Sequence, residues 1–176
     1  MRRGVAVTLA AVALVILAGC GDGGTRTVDV TTTERLSDRP PPAPDPLKAR
    51  AADAYTAVAD RWNPRVEAAW GDVRATCRSS LWRQCAVALR EFAAVNGATA
   101  QRVARIDMPA DAAVHRDAMV LSMNRATRTA RTLAGNLADG RPAPVDTAHM
   151  REISTAITDT GGHADLLRAR LGLPPP

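Results

Sequence analysis

From Leu47 to Leu171 apolar residues recur every three or four positions, in four runs separated by proline or glycine punctuation. That spacing commits the chain to amphipathic helices, because positions three and four apart share one helix face. The first run is Leu47, Ala51, Tyr55, Val58, Trp62, Val66, Trp70 and Val73. The second is Leu81, Cys85, Leu89, Phe92, Val95, Val103 and Ile106, closed by Met108-Pro109. The third starts near Asp111 and carries Met119, Met123, Ala126, Ala130, Leu133 and Leu137. Asp139-Gly140 ends it, and Pro142 and Pro144 prevent its continuation. The fourth uses Met150, Ile153, Ile157, Ala164, Leu167 and Leu171, with Asp146 or Thr147 able to cap its start.

Two interruptions fall inside these runs. Asn63-Pro64 predicts a kink or a brief break, since proline lacks the donor and crowds the preceding turn. The stripe keeps its phase across it, which argues for one helical segment. Gly161-Gly162 predicts a bend or a split in the fourth helix, because each interior glycine costs about 1 kcal/mol. Strand signals are nearly absent. The expectation is therefore an all-α fold, an antiparallel four-helix bundle over residues 47–173. Alanine-rich stripes let helices approach closely, but they limit the apolar area each residue buries.

The first 46 residues read differently. Residues 20–46 combine Gly21 to Gly24, Thr31 to Thr33 and Pro40 to Pro46 without apolar periodicity. Such a segment cannot bury a core and predicts a disordered tether, reaching roughly 30 Å on average as a flexible coil. Residues 1–19 order Arg2 and Arg3, an apolar run from Val5 to Leu17 broken by Thr8, then the small pair Ala18 and Gly19 before Cys20. That is the layout of a secretory signal, and the run is shorter than the roughly 20 residues a spanning helix needs. Leu17-Ala18-Gly19-Cys20 resembles the lipobox of bacterial prolipoproteins, a resemblance confined to the first 20 residues. It implies cleavage before Cys20, lipid (palmitate among it) on Cys20, and a membrane-anchored protein on the extracytoplasmic face. Arg2-Arg3 also raises twin-arginine export. Gly4-Val5-Ala6 is a poor hydrophobic follow-on, so Sec export is the expectation.

The net charge is +5, of which Arg2 and Arg3 supply two, and Lys48 is the only lysine. A mild positive excess suits anionic lipid or wall polymer. It is too weak to indicate nucleic-acid binding. With Cys20 assigned to the lipobox, Cys77 and Cys85 remain as a pair in an oxidising compartment, where disulfides persist. A metal or redox pair is the competing reading, and neither a C-x-x-C spacing nor a nearby histidine supports it.

Candidate chemistry is sparse. His115, Met119 and Met123 share one helix face, and imidazole with thioether ligands suits Cu(I). A Met/His-held haem is related, and His149 and Met150 could add ligands from a neighbouring helix. The same methionines equally continue a core stripe. A di-iron carboxylate bundle needs Glu-x-x-His pairs, yet Trp70 follows Glu67 and Ala94 follows Glu91 at the histidine position. Hydrolase signatures such as G-x-S-x-G, H-E-x-x-H and S-x-x-K are missing. Arg125, Arg128 and Arg131, with Arg102 and Arg105, form a candidate patch for anionic surfaces. Trp62 and Trp70 fall on the first core stripe, and Trp82 lies between the two cysteines. The expected role is a non-enzymatic binding or scaffolding lipoprotein without a cofactor. Its expected partners are an envelope protein or an anionic wall polymer, with Cu(I) or haem binding as the alternative.

Overall fold

The computed structural model of the chain describes residues 45–78, 82–139 and 147–175. The expected signal segment, Cys20 and most of the tether lie outside them. The described residues form four helices: α1 Pro46–Thr76, α2 Trp82–Ala104, α3 Ala110–Ala138 and α4 Thr147–Leu171. Each packs against the next, most extensively α2 on α3 and α3 on α4, whereas α1 and α4 meet over only a few residues. The bundle is thus closed along three seams and nearly open along the fourth.

The antiparallel course is visible in the core, which forms two clusters. One gathers Val73 and Cys77 late in α1, Cys85, Leu89 and Phe92 early in α2, Leu133 and Leu137 late in α3, and Ile153 early in α4. The other gathers Ala51 and Tyr55 early in α1, Val103 late in α2, Met119 and Met123 early in α3, and Leu167 and Leu171 late in α4. Alanine occupies much of both clusters, among them Ala93, Ala100, Ala112, Ala126 and Ala130, each at most 1% exposed. Between the clusters lies a polar belt. Asn96 Nδ2 donates to the Met123 carbonyl at 2.8 Å and to Thr127 Oγ1 at 3.0 Å. Thr99 Oγ1 donates to the Val95 carbonyl, and all three belt residues are buried.

Helix ends follow local chemistry. The Asp45 side chain accepts from the Leu47 amide at 2.9 Å, and Pro46 fills the first helical position, where a missing N–H costs nothing. Asp45 and Pro46 therefore belong to the helix, not to the extended tether that the proline run predicts. At the other terminus, Gly172 adopts φ 75°. The Leu173 amide donates to the Arg168 carbonyl and the Gly172 amide to the Ala169 carbonyl, a Schellman closure. Arg168 then donates twice to the Pro174 carbonyl.

Neither expected interruption breaks its helix. α1 runs unbroken through Pro64. Pro64 and Asp60, whose carbonyl loses its helical donor, are both exposed, so water can replace that bond, while Ala59, Ala69 and Val73 hold the helix on either side. α4 likewise continues through Gly161 and Gly162, which are solvent-exposed. Burial of Ala156 before them and Leu167 after them overrides the glycine penalty.

Candidate functional site

The cysteines meet as expected. Cys77 ends α1, its amide donating to the Val73 carbonyl, and Cys85 lies in the first turn of α2. They form a disulfide with Cα atoms 4.8 Å apart, buried in the first cluster. Trp82, half-buried, packs against the same cluster.

His115, Met119 and Met123 do lie along α3. Met119 and Met123 are 6% and 3% exposed and sit in the second cluster with Tyr55 and Leu167, while His115 is half-buried. They occupy the core-filling position that thioethers commonly take. His149 and Met150 begin α4 at the opposite end of the bundle, where Met150 packs on the first cluster; the fold does not bring them to His115. Among the described residues no group of three or more His, Cys, Asp and Glu is placed to hold a metal ion.

The arginines of α3 separate. Arg125 Nε pairs with Glu152 Oε1 of α4 at 2.9 Å. Arg131 turns the other way, its Nη2 lying 3.8 Å from where a Cβ on Gly97 of α2 would stand. Arg128 is exposed. Arg102 does not join them, because it faces α1.

That last contact belongs to a cluster the sequence reading did not assemble. Trp62, half-exposed, carries three guanidiniums over or beside its ring: Arg102 at 4.5 Å from the centroid, Arg65 at 5.0 Å and Arg61 at 6.0 Å. Arg61, Trp62 and Arg65 are supplied by one turn of α1, and Arg102 crosses from α2. The spacing of 61, 62 and 65 was available as a signal; the crossing partner was not.

A groove opens where α1 and α4 diverge at the disulfide end. Its cavity is about 460 Å³, with Trp70, Cys77 and Met150 among its lining and Arg74, Arg78 and Arg151 along it. Trp70 stands tilted against Phe92, ring centroids 5.3 Å apart. Large exposed apolar side chains, Val87, Val114, Leu121 and Leu166, are spread over three helices. No described helix is long and apolar enough to cross a membrane.

Among the described residues one ionisable group, Tyr55, is perturbed. Burial pushes the Tyr55 phenol above its ordinary value near 10, Arg168 opposes the rise and Asp165 adds to it. Comparison with known protein families, curated proteins and solved structures gives no match to this chain.

Proposed function

We propose that the protein is a lipid-anchored, extracytoplasmic binding or scaffolding module that works by contact and not by catalysis. The lipobox spacing Leu17-Ala18-Gly19-Cys20 supports the anchor. The observation that carries the compartment is the buried Cys77–Cys85 disulfide, because such bridges persist in oxidising spaces and are rare in the cytosol. The partner in this reading is another envelope protein or an anionic wall polymer, met through an exterior that presents most of the chain's arginines.

The test is the mass of the N-terminal peptide recovered from membranes. Acylated Cys20 as the first residue is expected, together with release of a Cys20→Ala chain from the membrane fraction. Thiol labelling of Cys77 and Cys85 should require prior reduction. Recovery of the intact, unacylated chain from the cytosol with both thiols reactive overturns the reading.

A further inference from the structure

The seam between α1 and α2 carries a positive charge that the bundle itself leaves unused. Arg61, Arg65 and Arg102 converge on Trp62. Closer to the start of α1, Arg50 and Arg105 join Arg102 around a hollow that Asp107 also lines. Among the described residues none of these five arginines has a carboxylate within ion-pair distance. The Trp62 ring face offsets part of the repulsion between the three guanidiniums around it, and an oxyanion would offset more, because guanidinium forks bind phosphate oxygens in pairs.

We propose that this seam docks on the phosphate headgroups of an anionic phospholipid bilayer. Charge complementarity selects an anionic surface. The half-exposed indole among arginines fits the headgroup level, where tryptophan is favoured. Position selects the bilayer: the seam runs along α1 from Arg50, one turn after Pro46, to Arg65 near the middle of the helix, so one end of it lies where the preceding chain enters the bundle. In this respect the proposal rests on the anchored reading, for a lipid on Cys20 would hold that end within roughly 30 Å of the membrane. A tethered patch then works at high effective concentration. The α3 arginines offer less for this role, since Arg125 is paired to Glu152 and Arg131 turns toward α2, which leaves Arg128, exposed, as the remaining charge.

The test uses the full chain with Cys20→Ala, mixed with vesicles of phosphatidylcholine alone or of phosphatidylcholine with phosphatidylglycerol. The quantity read is the ratio of binding to the two. Every variant keeps the same first 44 residues, so their contribution cancels. Arg61→Gln with Arg65→Gln and Arg102→Gln is expected to lower the ratio on the order of 100-fold, roughly fivefold per arginine. Arg125→Gln with Arg128→Gln and Arg131→Gln removes the same charge elsewhere and is expected to lower it less than about fivefold. If the seam triple melts abnormally, the pair Arg61→Gln and Arg65→Gln replaces it, with roughly a 25-fold loss expected. Equal losses from the two triples, or no loss from the seam variants, overturns the proposal. Acylation plays no part in any arm. An unmodified Cys20 in cells would therefore end the anchored reading without touching this measurement.

Discussion

At the scale of single residues, the informative ones are polar groups in apolar places. Tyr55 is the only tyrosine of the chain, so tyrosinate absorbance reports it alone. Its phenol ionises near 10 in the unfolded chain and higher in the folded one. The folded state therefore keeps its proton longer. Stability from this group is intact below pH 10 and falls as pH rises through the folded value. A spectrophotometric titration should show ionisation above the ordinary value, and Tyr55→Phe should remove part of the alkaline loss of stability. Asn96 is the second case. Asn96→Ala removes both donated bonds and leaves a gap beside Thr127, with an expected cost of about 1–3 kcal/mol, read as a lower denaturant midpoint at unchanged slope. The apolar stripes were legible from spacing alone. Asn96 was not, because an asparagine on a helix reads as surface until its partner helix is known. Trp62 was legible only as a stripe member; its three arginines depend on how α2 crosses α1.

Among the elements, helix existence was readable; continuity was readable across Pro64 from the unbroken phase of its stripe, and not across Gly161-Gly162. Periodicity placed all four helices, since long amphipathic stripes are the strongest local signal. Pro64 and Gly161-Gly162 predicted interruptions because their local penalties are real. The structure overrides them where the penalised groups face water and buried neighbours grip both sides. The glycines make this testable. No atom outside their own helix lies within 4 Å of a Cβ placed on either, so Gly161→Ala and Gly162→Ala should each stabilise by about 1 kcal/mol, seen as a raised Tm. The disulfide acts at the same scale by pinning α1 to α2. Cys77→Ser with Cys85→Ser should cost about 2–3 kcal/mol through loop closure in the unfolded chain, measured against wild type under non-reducing conditions.

For the molecule as a whole, the two apolar clusters share all four helices and are joined through the Asn96–Thr127 belt. They should melt as one unit. Tryptophan fluorescence weighted by Trp70 and Trp82 reads the disulfide end, while the environment of Tyr55 reads the other. The two probes should give coincident transitions, and separated midpoints would show that the belt uncouples the halves. The bundle class followed from the sequence because four stripes with short connections have few ways to pack. Which seam stays open did not follow, since stripe width in an alanine-rich chain does not reveal how far α1 sits from α4.

Gly172 closes α4 so close to Lys48 that a methyl group there would stand 3.8 Å from Lys48 Cε. The bundle's two chain exits consequently share one pole. Probes attached near Pro46 and near Gly172 sample the same neighbourhood, and the pole bearing the cystine is the opposite one.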